Sequence, residues 1–213
     1  MLGVFGWFDR TLDIVVATHP DLDHIGGLVN VLDRYQVNSV ITTSAKGNSL
    51  AATELEKKVM NTKAPVVYAK AGQVLELGAS TTLSIFSPQY DPDGWPTNSG
   101  SIITLLQHGD IGFMLTGDAP VSIEEFLVKH YGQRLEAEVL KLGHHGSKTS
   151  SAKIFLEAVD PEFVVVSAGK NNSHGHPHDE VLARVAEIGA RVASTQEGTV
   201  TFHSDGKSVF LLD

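Results

Sequence analysis

The chain has 213 residues, ten of them histidine and none cysteine, with a formal net charge of −9. Hydrophobic residues make up 42% and charged residues 19%, which is enough apolar material for a packed core and argues against disorder. The negative balance speaks against a wide electrostatic grip on nucleic acid, though not against a local phosphate contact. The lack of thiols leaves His, Asp and Glu to hold any metal, and no stretch approaches the ~18 apolar residues of a membrane span.

Met1 to Arg10 has neither the basic start nor the apolar centre of a signal peptide. Leu12 to Ala17 reads as a buried strand, and Ile25 to Tyr35 shows a helical face at 25, 28, 29 and 32. Val37 to Thr42 is a second strand, Leu50 to Met60 a helix, and Pro65 to Tyr68 a short strand. Two β-like runs follow between Gln73 and Phe86, then a loop over 88–100 rich in Pro, Gly, Asp and Asn. Ile102 to Gln107 and Ile111 to Leu115 predict a hairpin around His108-Gly109-Asp110. Val121 to Tyr131 is helical, Ala137 to Leu142 a strand, and 151–159 a helix with Ser150 or Ser151 as N-cap. Phe163 to Ser167 is a strand, Val181 to Ile188 a helix, and 191–213 short strands with turns at Glu197-Gly198 and Asp205-Gly206. Hairpins mixed with strand–helix units point to two sheets with helices outside.

Each cluster of acids or histidines follows a strand. His19, Asp21, Asp23 and His24 form H-x-D-x-D-H straight after the first strand. Four polar side chains so close together need partners, and a cation supplies the missing charge; imidazole and carboxylate suit Zn, Mn or Fe. The competing explanation, a solvated loop with Asp23 capping the next helix, leaves both histidines idle. Asp118, in T-G-D-A, is as good an N-cap as a ligand by itself, and becomes a candidate bridge between two cations beside the first motif. His144 and His145 lie between glycines: one could ligate metal while the other serves as acid, base or phosphate donor. His174, His176 and His178 share a loop, in which His176, between Gly175 and Pro177, is favoured for a functional role and His178 for capping the following helix. Thr97 to Ser101 could close the site with amide and hydroxyl groups. Lys141, Lys148 and Lys170 flank the histidine loops and could meet phosphate oxygens.

In this order the motifs resemble the metallo-β-lactamase superfamily, and more narrowly the hydrolase domain of ComEC-type DNA-uptake proteins and its free-standing relatives. Asp21 stands where the superfamily's usual signature has a second histidine, and T-G-D-A, H-H-G-S and G-H-P-H complete the ComEC-like variant. The resemblance implies an α/β fold, a four-layer αββα sandwich formed by residues 1–213 as one hydrolase domain. It also implies two divalent ions, Mn²⁺ or Zn²⁺. His19 and Asp21 would bind the first ion, Asp23 and His24 the second, and Asp118 would bridge. His144 would be the last ligand, with Asp23, His145 and His176 in catalytic roles. Asn98 to Ser101 stands where the superfamily has a further histidine, so the first ion is expected to be held weakly.

The implied activity is hydrolysis of a phosphodiester, single-stranded DNA in particular, by a metal-bound hydroxide. Family domains carry further strands ahead of their first motif, whereas this chain reaches His19 almost at once. The expectation is therefore a domain incomplete at its N-terminus, with an exposed sheet edge open to self-association. It would be cytoplasmic if free-standing and membrane-associated if part of a larger ComEC-type protein. A degenerate domain that binds metal or docks to a partner without catalysis is the competing function.

Overall fold

A computed structural model describes residues 10–78 and 80–212. The first strand is interrupted at Asp13-Ile14, giving β1 (Thr11–Leu12) and β2 (Val15–Val16). The helix expected from Ile25 begins earlier and is split: α1 (Leu22–Ile25) holds the end of H-x-D-x-D-H, and α2 (Leu28–Arg34) follows the glycine pair. The next segment breaks like the first, into β3 (Gln36–Val37) and β4 (Val40–Thr42). Then come α3 (Leu50–Asn61) and β5 (Val66–Tyr68). In α3 the Ser49 side chain accepts from Ala52 N–H, the usual N-cap bond, and Ala52, Leu55 and Val59 bury one face. β3 runs parallel to β1, and β2, β4 and β5 form a parallel three-stranded sheet in the order β2-β4-β5.

β6 (Val74–Gly78), β7 (Thr81–Ser87), β8 (Ile103–His108) and β9 (Ile111–Leu115) make an antiparallel meander. The chain continues through α4 (Val121–Tyr131), β10 (Val139–Lys141), α5 (Lys153–Val159), β11 (Phe163–Val166), α6 (Asp179–Glu187) and β12 (Arg191–Ser194). β9 to β12 run parallel, so the large sheet has seven strands in the order β12-β11-β10-β9-β8-β7-β6. The tail is a hairpin, β13 (Thr201–Ser204) and β14 (Val209–Leu212), whose Phe202 ring meets Phe113 and Phe163 on the large sheet.

Three apolar clusters account for the layers. Leu140, Val164, Leu127, Phe155 and Val185 join the large sheet to α4, α5 and α6. Ile25, Val40, Leu55 and Val59 join the small sheet to α1, α2 and α3. Ile41, Ala69, Ile85 and Ile102 fill the space between the sheets. The result is the expected αββα sandwich. Among the described residues β2 is paired on one side only, so the small sheet presents an edge there. No described helix is long and apolar enough to cross a membrane.

The N-cap of α5 departs from expectation. Ala152 occupies that position, Ser150 Oγ donates to Ala119 O, and Ser151 sits at φ +60°. The amides that open the helix go instead to Glu124 of α4, which accepts from Ser151 N–H and Ala152 N–H at 2.7 and 2.8 Å. The hairpin turn after β8 is as predicted, with Gly109 at φ +59°; a Cβ there would lie 2.3 Å from Gly206 O. Gly109→Ala should therefore cost about 2 kcal/mol and lower the melting temperature by roughly 5 °C. Gly72→Ala, at φ +92° with nothing within 4 Å, should cost less; equal losses in thermal denaturation would refute the clash.

Candidate metal centre

The strand ends explain how distant motifs meet. β9, β10 and β11 are parallel neighbours, so Asp118, the His144-His145 turn and the loop after β11 leave one rim. The small sheet is tied to the same place by Ile102 N–H, which donates to Thr18 O at 2.9 Å, next to His19. Asp118 N–H is fixed by Ser101 Oγ at 3.2 Å, so the segment after Asn98 acts by holding the aspartate.

Four side chains converge tightly: the ligand atoms of Asp23, His24, Asp118 and His145 all lie within 4.8 Å of one another. His24 Nε2 is 3.2 Å from His145 Nε2 and 3.1 Å from Asp118 Oδ1. His145 Nε2 is 3.1 Å from Asp23 Oδ2 and 3.5 Å from Asp118 Oδ2. The tautomer of His145 follows from its other nitrogen. Nδ1 lies 2.7 Å from Ser167 O, and a carbonyl can only accept, so Nδ1 carries the proton. In the neutral ring Nε2 is then a bare lone pair facing a carboxylate oxygen. That is repulsive unless a positive charge lies between them, and a carbonyl partner on the far nitrogen is how metal-ligating imidazoles are oriented.

A second set of donors shares Asp118. His19 Nε2 lies 3.9 Å from Asp21 Oδ2 and 3.8 Å from Asp118 Oδ2, and His144 Nε2 is 3.7 Å from the same oxygen. Thr149 Oγ1 lies 3.1 Å from His144 Nδ1, and Thr18 Oγ1 is 3.1 Å from His19 Nδ1. His19 Nε2 and Asp118 Oδ1 are buried without an aligned hydrogen-bond partner. Two orphaned atoms, an imidazole nitrogen and a carboxylate oxygen, each with an electron pair to offer and ringed by nitrogen and oxygen donors with no sulfur, fit divalent cations.

The electrostatics are suited to that use. Burial, with His24 beside it, lowers the His19 pKa to about 4, so the ring is neutral at pH 7, as a ligand must be. Burial also lowers His144. Burial alone would raise the Asp118 carboxyl, but His24, Lys141 and His145 outweigh it and hold the group well below the usual carboxylate range. Lys141, expected at the phosphate, instead donates to Gly117 O at 2.8 Å and stands 3.6 Å from Asp118 Oδ1. Its neighbour in sequence terms, Lys148, is exposed, as is Lys170.

An open cleft of about 900 Å³ leads to the centre, with Asp21, Asp23, His144, His145, His174 and His176 in its wall. The His176 ring is 5.5 Å from His144 and 6.2 Å from His145, centroid to centroid, and burial lowers its pKa. Its loop is pinned by Asn172, whose Oδ1 accepts from His176 N–H at 2.9 Å and whose Nδ2 donates to His176 O at 2.7 Å. Gly146 makes the approach of this loop possible: at φ +84°, its missing Cβ would lie 2.7 Å from Pro177 Cβ. His178 is at the N-cap position of α6, but its side chain makes no cap bond and Nδ1 accepts from Lys148 N–H at 3.3 Å. Asp23 is not a cap either; Asp21 holds the N-cap position of α1, without a side-chain cap bond. His108, His130 and His203 lie elsewhere, on Ser204, Phe126 and Phe210.

Two supporting groups escaped the sequence reading. Ser167 carries no signal, because its role lies in a backbone carbonyl. Glu124 does carry one: an acid on the apolar stripe of α4, three residues from both Val121 and Leu127. Its bonds to Ser151 and Ala152 fix the segment that follows the His144-His145 turn.

A superfamily sequence model described as Metallo-beta-lactamase superfamily matches residues 3–170. The ComE operon protein 3 of Bacillus subtilis is 29% identical over 91% of this chain and 25% of its own length. Competence protein ComA of Neisseria gonorrhoeae is 42% identical over 46% of the chain and 14% of its own. Recombination protein 2 of Haemophilus influenzae is 29% identical over 86% and 21%. The chain thus spans a quarter or less of each of these curated relatives. Among solved structures, CmlA, a diiron beta-hydroxylase from Streptomyces venezuelae, superposes with a TM-score of 0.60 at 14% identity over 87% of this chain and 44% of that one. YhfI from Bacillus subtilis, titled a metallo-beta-lactamase fold protein, gives 0.55 at 14% over 88% and 76%. At these identities the structures establish the fold.

Burial of Glu124 raises its pKa from 4.5 to about 7, against the pull of the Ala152 and Ser151 amides. Below pH 4.5 the carboxyl is neutral folded and unfolded, and its burial carries no ionisation penalty. As pH rises toward 7 the unfolded chain ionises first, and stability falls by roughly 3 kcal/mol. Denaturant unfolding from pH 4 to 8 should show that loss in the wild type relative to Glu124→Gln; parallel curves would refute it.

Proposed function

The chain belongs to the metallo-β-lactamase superfamily, and we propose that its histidine–aspartate centre holds two divalent cations, Mn²⁺ or Zn²⁺, and hydrolyses phosphodiesters, single-stranded DNA among them. The observation that carries this reading is the convergence of the Asp23, His24, Asp118 and His145 donors, with His145 oriented by Ser167 O so that its Nε2 faces a carboxylate.

We assign Asp23, His24 and His145 to one cation and His19, Asp21 and His144 to the other. Asp118 would serve both, since Oδ1 faces His24 while Oδ2 lies among His145, His19 and His144. Bound there, such ions supply Lewis acidity and a nucleophile near neutral pH. Everything else falls to the chain's own groups. Asp23 is the most exposed of the acids around the centre, with 62% of its side chain accessible, and is placed to take the proton of the attacking water. His176, neutral at pH 7 on the cleft wall, donates an N–H to a phosphoryl oxygen or to the leaving group. Ser167 O holds the tautomer of His145, and Thr149 and Thr18 orient the rings of His144 and His19.

DNA as substrate is supported by the similarity to competence and recombination proteins. The acidic chain suits a flexible strand threaded to a compact centre better than a broad duplex footprint. On this reading residues 1–213 act as one hydrolase domain.

The test is protein purified without a histidine tag, its bound metal measured, and its turnover of bis-p-nitrophenyl phosphate and of single-stranded DNA assayed in Mn²⁺. We expect about two ions per chain and hydrolysis of both substrates. Asp118→Ala should lose metal and reduce turnover by more than ~100-fold with the far-UV circular dichroism preserved, whereas His178→Ala should stay within about twofold. Neither metal nor turnover in excess Mn²⁺ would overturn the reading and leave a docking domain in its place.

A further inference from the structure

A second pocket, of about 540 Å³, opens beside the small sheet and is used by none of the chemistry above. Tyr68 at the end of β5 and Tyr90 in the 88–100 loop line it, together with Lys70, Ser44 and Asp91. Tyr68 is 56% and Tyr90 68% exposed, and among the described residues neither ring meets another aromatic side chain. Lys70 is exposed and forms no ion pair among the described residues. Asp91 is bound by Ser44 Oγ and Asp93 N–H, which hold it below the usual carboxylate range and ionised at neutral pH.

The pocket is one loop away from the metal centre. Tyr68 also lines a smaller pocket that His19 lines as well. The intervening loop, 43–47, is packed hard on both sides. A Cβ on Gly47 would meet Pro20 Cβ at 2.8 Å, and one on Gly100 would meet Ala45 Cβ at 2.6 Å and Pro92 Cβ at 3.1 Å. The loop bearing Tyr90 also runs directly into Ser101, which holds Asp118.

Two free aromatic faces, a free ammonium and an oriented carboxylate together match one ligand chemistry, that of a nucleotide. A base stacks on phenol rings with little regard to sequence, lysine meets a phosphate as a point charge, and a carboxylate accepts from an exocyclic amino group. We propose that this pocket holds a base of single-stranded nucleic acid whose scissile phosphate lies in the metal cleft. Tyr68 and Tyr90 stack on it, Lys70 contacts a flanking phosphate, and Asp91 accepts from the base edge. The proposal rests on the hydrolase reading for what lies in the cleft, but binding to the pocket is measurable without turnover.

The experiment compares wild type, Tyr68→Ala/Tyr90→Ala and Tyr68→Phe/Tyr90→Phe. Affinity for fluorescein-labelled oligo(dC) and oligo(dT) is read by anisotropy in EDTA, and turnover of bis-p-nitrophenyl phosphate in Mn²⁺. The alanine pair should weaken oligomer binding ~10-fold or more while the phenylalanine pair restores it. Oligo(dC), which offers an amino group, should bind tighter than oligo(dT), and Asp91→Asn should level the two. Bis-p-nitrophenyl phosphate, too small to span both sites, should be turned over within about twofold of wild type by the alanine pair, which also shows that the variant is folded. Unchanged oligomer affinity in the alanine pair, or no oligomer binding by wild type, overturns the pocket assignment. Loss of bis-p-nitrophenyl phosphate turnover in the wild type overturns the hydrolase reading instead, and the anisotropy result still decides the pocket.

Discussion

A crowd of imidazole nitrogens and carboxylate oxygens gathered on Asp118 organises this molecule. His145 donates its Nδ1–H to Ser167 O, so its other nitrogen is turned on the Asp23 carboxylate 3.1 Å away. Around that contact stand a buried imidazole nitrogen, His19 Nε2, without a partner and a carboxylate oxygen, Asp118 Oδ1, without an aligned donor. Such an arrangement is costly in a chain alone, because buried polar atoms and like-signed partners destabilise unless a compensating charge is present. Lys141 supplies part of it at Asp118, nearest Oδ1, whereas His19 and His144 stand nearest Oδ2. The remainder is what divalent ions provide, and the loops are held in readiness for them by bonds made elsewhere.

The supporting bonds form a layer of their own. Ser101 fixes the Asp118 backbone, Thr149 and Ser167 fix two imidazoles, Asn172 fixes the loop of His176, and Glu124 fixes the start of α5 behind the His144-His145 turn. His144 and His145 both take left-handed backbone angles, φ +48° and φ +57°, which non-glycine residues adopt at a cost. Strain of that kind persists where the surroundings dictate it, and here they turn two adjacent rings toward one aspartate.

Much of the layer order was legible in the sequence, because it depends on periodicity and on runs such as Phe163 to Val166 that are buried on both faces. The ligand-bearing loops were legible too, since clusters such as His19 to His24 cannot be packed as core. The interruption of the first strand at Asp13 was not, because a short buried run looks alike whether straight or broken. Nor was the start of α1 at Leu22, which sets Asp23 and His24 on a helical turn rather than in an open loop. The division of labour between His144 and His145 is invisible in sequence, because it is set by which neighbouring oxygen each Nδ1 meets. Glu124 replaced the expected serine cap from another helix, and a local reading of caps cannot see a partner 27 residues away.

The donors come from both halves of the sandwich. His19, Asp21, Asp23 and His24 follow β2 of the small sheet, whereas Asp118, His144 and His145 follow β9 and β10 of the large one. Ions gripped by both sets would rivet the two sheets together at the rim, where the backbone bond from Ile102 to Thr18 already joins them. Anything that binds the folded form alone adds to its stability by mass action. The cation supply would thus govern how firmly the halves of the sandwich stay closed, as well as what happens between them.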